Sequence, residues 1–133
     1  MGLDGENVMT DPITCLALAI YFEARGEPVD GQAAVAGVVL ERVASDSYPD
    51  TICEVVFQRK QFSAFNSGIP KVTDKTAWIA SETVARAVLD DPEGTVLILG
   101  ATHYHADSVK PFWADYYSPL GQIGAHIFYG PFD

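Results

Sequence analysis

The sequence predicts an α+β fold, mainly helical, with a small antiparallel β-sheet near the C-terminus. Three observations carry that expectation. From Ile13 to Phe22 the chain is apolar except for Thr14, helical periodicity continues in blocks as far as Leu89, and after Val96 short β-branched and aromatic runs alternate with Gly and Pro. At 133 residues the chain is one domain, long enough to bury a core, with residues 1–11 read as a poorly ordered N-terminal extension.

Asp11-Pro12 supplies an N-cap acceptor and a proline at the first helical position, and Gly26 with Pro28 supplies the stop. At about 100° per residue, Ile13, Leu16, Ala17, Ile20 and Ala24 form one apolar stripe, and Cys15, Leu18 and Phe22 form another on the far side. A helix that is apolar all round is a buried helix. A second helix is expected over Gly31 to Ala44, capped by Asp30, with Ala34, Val35, Val38, Val39 and Val43 facing inward and the small Ala33 and Gly37 allowing close approach. After a turn at Asp46 to Pro49, Asp50 or Thr51 opens a short third helix to about Gln58, the latter forming a capping box with Glu54.

Arg59 to Thr73 is a loop rich in amides and hydroxyls with two phenylalanines, Phe62 and Phe65. Asp74 caps a fourth helix, Lys75 to Leu89, whose inward stripe reads Ala77, Ala80, Val84, Ala87 and Val88, with Trp78 packing just outside it. Val96 to His105 and Ile123 to Tyr129 then read as strands, joined by a Pro- and aromatic-rich connection over Val109 to Gly121.

Glu23 is the first ionisable side chain along the first helix, and it falls in the last turn, where the buried stretch ends. Burial and the negative end of a helix dipole both favour the protonated form of a carboxyl. A protonated carboxylic acid at a cleft edge is what cleavage of a glycosidic bond requires, because the leaving oxygen must receive a proton.

The segments around Glu23 resemble a known family. Tyr21-Phe-Glu-Ala-Arg-Gly-Glu-Pro28, Gly31-Gln-Ala-Ala-Val-Ala36, Val39-Leu-Glu-Arg-Val43, Tyr48 to Gln58, Gln61-Phe-Ser63, Ala101-Thr-His-Tyr-His105 and Ile123 to Tyr129 follow, in order and spacing, the cell-wall hydrolase family of spore cortex-lytic enzymes (the SleB/CwlJ type). The resemblance implies a peptidoglycan-cleaving domain related to the lysozyme-like lytic transglycosylases, with Glu23 as catalytic acid and no cofactor. It also implies Gln61, Phe62, Ser63, His103, His105, His126 and Tyr129 as substrate-binding residues, with Arg25, Glu27 and Gln32 structural near the site. Two positions depart from the family pattern: Glu41 stands where Asn is usual, and Ala64 where many members carry Trp.

One Glu without an evident catalytic partner favours a lytic transglycosylase acting on the MurNAc-β-1,4-GlcNAc bond. Lysozyme-type hydrolysis by water is the alternative, since glycosidases that use water need two carboxylates flanking the bond. Two rivals come from other classes. His103 and His105 share a strand face by alternation, and His126 on the partner strand would complete a three-imidazole zinc site with Glu23 as base. A catalytically silent wall-binding module is the other. Tyr104, facing away from His103 and His105 by alternation, reads as core.

A formal net charge of −10 excludes nucleic acid as a partner and gives no steering toward an anionic wall. The partner is the peptidoglycan glycan strand, and the chain is read as a monomer. Met1 to Thr10 has acidic residues and no basic one, and the apolar run to Phe22 is too short to span a bilayer. No signal or membrane segment is therefore read, and action at the cell wall, in the periplasm or outside the cell, implies a removed signal or release by phage lysis. Cys15 and Cys53 are either two core thiols or a disulfide closing a loop of nearly forty residues.

Overall fold

The computed structural model describes residues 10–58, 62–65, 67–95 and 98–131. Helix α1 (Pro12–Ala24) is its axis: every residue from Cys15 to Tyr21 is buried. Asp11 caps it, with Oδ1 accepting from the Ile13 amide at 3.1 Å and Oδ2 from the Thr14 hydroxyl at 2.6 Å. The reading of a helix apolar on all sides as a buried one holds, because neighbours cover each face. Helix α2 (Val29–Val43), the short α3 (Ile52–Val56) and α4 (Lys75–Asp90) all pack on α1.

Helix α2 begins at Val29 with Pro28 in the cap position and without a side-chain cap, so Asp30 is a first-turn residue and not the expected N-cap. Proline's fixed φ starts the helix there, and an acid in the first turn suits the dipole. Thr51 caps α3 by accepting from the Glu54 amide at 3.2 Å while its hydroxyl donates to the Glu54 carboxylate at 2.8 Å. Asp74 caps α4. The buried face of α4, however, is Trp78, Ser81, Val84, Ala85 and Val88, and Ala80 and Ala87 are exposed. The large indole decides the helix's rotation, since it removes far more apolar area from water than two methyl groups.

After α4 the chain makes a short helix α5 (Pro92–Thr95). Val96 and Leu97 lie outside the described residues, and Ile98 to Gly100 is a bend, so the expected strand shortens to β1 (His103–Ala106). Gly100 sits at φ +83°, which pleated backbone does not allow. A 3₁₀ segment (Phe112–Tyr116) leads into β2 (Tyr117–Ile123), and β3 (His126–Pro131) follows. The sheet is antiparallel in the order β1-β3-β2. Ile123 to Tyr129 is thus two strands and a turn, because Gly124 at φ +56° reverses the chain.

The register sets the faces. His103 pairs with Tyr129, Tyr104 with Phe128 and Ala106 with His126. Tyr104, His126 and Phe128 therefore share the face toward the helices, where Phe128 packs in a cluster with Ala24, Ala34, Val35, Val38 and Ala101. His103, His105 and Tyr129 share the outer face, against Trp113 of the 3₁₀ segment.

Cys15 and Cys53 form a disulfide between α1 and α3, with Cα atoms 5.2 Å apart. Among the described residues no helix is long and apolar enough to cross a membrane.

Candidate active site

Glu23 emerges, partly buried, from the last turn of α1. Its Oε1 accepts a hydrogen bond of 2.9 Å from the hydroxyl of Tyr104 on β1. Burial first, and then the adjacent Glu23 carboxylate, raise the Tyr104 phenol well above its ordinary value of 10.0, so Tyr104 is a donor over the whole working pH range. One carboxylate oxygen is thereby fixed and the other is left for chemistry.

Just past the helix end, Glu27 ties the β2–β3 turn to α1. Its Oε1 accepts from the Ala125 amide at 2.9 Å and lies 4.0 Å from Nδ1 of His126. Gln32 on α2 donates from Nε2 to the Glu27 carbonyl at 3.0 Å. The His126 ring in turn lies 4.9 Å from that of Tyr104. Arg25 turns back over the ring of Tyr21, 4.3 Å from its centroid, and donates to the Tyr21 hydroxyl. That hydroxyl also accepts from the Asp74 amide at 3.0 Å, fixing the start of α4 against α1.

The other sequence candidates separate from this group. Phe62, expected at the substrate, is 2% exposed and belongs to the main core beside α1. Its ring is too large to leave in water when the main core can take it. Gln61 lies outside the described residues, as does the side chain of Ser63. His105 and Tyr129 are nearly buried and serve each other. Nδ1 of His105 donates to the Ala106 carbonyl at 2.8 Å, and Nε2 lies 2.9 Å from the Tyr129 hydroxyl. Both ring nitrogens are used, which makes His105 a strut of the outer face. The three-histidine zinc site also fails on geometry, since His126 lies on the opposite face of the sheet from His103 and His105. Among the described residues no group of three metal-ligating side chains converges.

His103 lies at the mouth of a cavity of about 540 Å³ lined by Arg42, Tyr104, Phe112, Trp113, Tyr116 and Tyr117. Its ring packs 4.1 Å from that of Tyr117 and 5.1 Å from that of Trp113. Burial, reinforced by the Arg42 charge, lowers its pKa to about 4, so the ring is neutral near neutral pH.

Sequence reasoning missed Tyr104 as a site residue and gave Arg42 no role beyond its place in a family segment. Tyr104 does face away from His103 and His105, as alternation requires, but that face is the one that meets Glu23. Arg42 left a usable signal: it continues the stripe Val35, Val38, Val39 at helical spacing, a single cation on an apolar face. Glu41, the departure from the family's Asn, accepts from the Gly100 amide at 2.6 Å and so anchors the bend that leads into β1.

The cell wall hydrolase family profile matches residues 26–129. The chain belongs to the cell wall hydrolase family. This cell wall hydrolase domain is 38% identical over 122 residues to a spore cortex-lytic enzyme of Oceanobacillus iheyensis, covering 87% of the chain and 40% of that protein. It is 34% identical over 121 residues to the spore cortex-lytic enzyme of Bacillus subtilis, with 87% and 36% covered. The chain thus spans well under half the length of these relatives. Among solved structures, the catalytic domain of the germination-specific lytic transglycosylase SleB from Bacillus anthracis superposes with a TM-score of 0.70 at 34% identity, covering 97% of this chain and 98% of that one. The catalytic domain of Bacillus cereus SleB gives 0.65 at 33% identity, with 96% and 99% covered. The expected fold, helical with a small C-terminal antiparallel sheet, is the fold of those domains.

Proposed function

We propose that this cell wall hydrolase domain cleaves the MurNAc-β-1,4-GlcNAc bond of peptidoglycan as a lytic transglycosylase, with Glu23 as its single catalytic carboxyl group. The observation that carries the reading is the Glu23–Tyr104 pair: one carboxyl at the end of a buried helix, held by a neutral donor. The nearest acid in sequence, Glu27, is occupied by the Ala125 amide and faces His126. The similar Bacillus anthracis domain, that of a germination-specific lytic transglycosylase, supports the same class.

In this mechanism Tyr104 holds Oε1 and Glu23 delivers its proton from Oε2 to the glycosidic oxygen, so that the C1–O bond breaks and the GlcNAc hydroxyl leaves. The resulting carboxylate takes the proton of the muramic acid C6 hydroxyl as O6 bonds to C1. The 1,6-anhydro ring closes, Glu23 is protonated again, and no water is consumed. Tyr104 donates to the carboxylate formed between the two steps, which is where a charge-assisted hydrogen bond is strongest. The Cys15–Cys53 disulfide fits action outside the cytoplasm, at the wall itself.

Mass spectrometry of the soluble products from purified sacculi tests the reading. Fragments ending in 1,6-anhydro-MurNAc are expected from the wild type, with a loss of roughly 100- to 10,000-fold in rate for Glu23→Gln. Reducing-end products would make water the acceptor, and full activity in Glu23→Gln would remove Glu23 from the mechanism.

A further inference from the structure

The helix-to-sheet junction buries a cation that has no counter-ion among the described residues. Arg42 is 4% exposed, and its Nε donates to the Thr102 carbonyl at 2.8 Å. Its guanidinium carbon lies 5.0 Å from the ring centre of Tyr48 and 5.3 Å from that of Phe62. Nη1 is buried without a hydrogen-bond partner, and among the described residues no carboxylate pairs with the guanidinium. Aromatic faces offset part of the cost of burying this charge, but an orphaned guanidinium nitrogen remains expensive. The same residue lines the cavity of about 540 Å³ beside His103 and Tyr104, and so stands next to the group that holds Glu23. Phe112 and Tyr116 on the cavity's rim are 85% and 68% exposed, leaving aromatic surface for a ligand to cover.

We propose that this cavity is a carboxylate-binding subsite of the glycan groove, in which the Arg42 guanidinium receives the carboxylate of a muramic acid unit, borne either by its lactyl group or by an attached peptide. The inference rests on the glycan reading above and adds the feature of the substrate that is recognised. Charge argues for an anion: the chain as a whole carries −10, so an acidic ligand is held only where a local cation outweighs that field. With His103 neutral near neutral pH, Arg42 is the cation that does so among the cavity's residues. A guanidinium binds a carboxylate in a planar, charge-assisted geometry that a neutral acyl group does not reproduce.

The test uses the intact protein, with the fluorescence of Trp113 in the cavity wall as the signal. N-acetylmuramic acid, its methyl ester, and N-acetylmuramoyl-L-alanine are titrated in turn, and Trp113→Phe identifies the responding tryptophan. At least one of the two acids should bind about tenfold or more tightly than the ester. Preference for the first acid assigns the carboxylate to the lactyl group, and preference for the second to the peptide. In Arg42→Gln the advantage over the ester should vanish while ester binding is retained. The wild-type comparison stands even if that variant does not fold. Equal binding of acids and ester, or no response at Trp113, would overturn the proposal. Binding is read apart from cleavage: a wild type that prefers an acid to the ester yet releases no fragments from sacculi would count against the glycosidic mechanism and leave this subsite standing.

Discussion

Tyr104 reaches Glu23 across 81 residues of sequence, and that reach makes it the residue most open to test. Tyr104→Phe keeps the ring in its packing but deletes a hydrogen bond to a charged group, a contact worth about 1.5–3 kcal/mol. A fall in kcat of about tenfold or more is expected with KM little changed, because the bond orients the acid and does not hold sugar. Steady-state kinetics on soluble glycan fragments would read this, and an unchanged kcat would remove Tyr104 from the mechanism. His103 makes a prediction about pH. Its folded pKa of about 4 lies below the ordinary 6.5, so between these values the unfolded chain takes up a proton that the folded chain refuses. Its contribution is therefore present above pH 6.5, falls as pH drops toward 4 and is fully lost below that. His103→Gln should narrow the difference between the urea midpoints at pH 7 and pH 4.5. An equal or wider difference would count against His103 as the acid-sensitive group.

At the scale of the element, the β2–β3 turn depends on Glu27 and Gly124 together. A Cβ at position 124 would lie 2.4 Å from the Glu27 carboxylate and 2.9 Å from Pro28, and the backbone there is at φ +56°. Gly124→Ala should cost about 1–3 kcal/mol in chemical unfolding. In a Glu27→Ala background the penalty should shrink to its backbone part, and a cycle with no coupling would show that the two do not meet. This turn also marks where the sequence ran short. The caps Asp11, Thr51 and Asp74 were legible because a capping oxygen acts within three residues of itself. The turn at Gly124 was not, because it interrupts what reads as one continuous apolar run. The inward stripe of α4 was likewise misplaced, since alanines fit either side of a helix and only packing against α1 shows that Trp78 takes the buried one.

For the molecule as a whole, the Cys15–Cys53 bond is the covalent constraint, closing a separation of 38 residues. In the chain-entropy account a loop of that size contributes about 4 kcal/mol. Reduction, or the paired change Cys15→Ala and Cys53→Ala, should lower Tm by roughly 10 °C. A thermal scan with and without reductant measures this, and no shift would mean that the thiols are not bonded. Sequence alone determined the buried first helix, the helix-then-sheet order and the position of Glu23 at the end of an apolar run. These depend on periodicity, capping and composition, which are properties of neighbouring residues. Tertiary structure decided which face of the sheet looks inward, and with it the separation of His126 from His103 and His105, the delivery of Tyr104 to Glu23, and the burial of Arg42 with no counter-ion among the described residues. A one-residue change in strand register exchanges the two faces, and that register is set by how β3 packs on the helices, which no local stretch of sequence encodes.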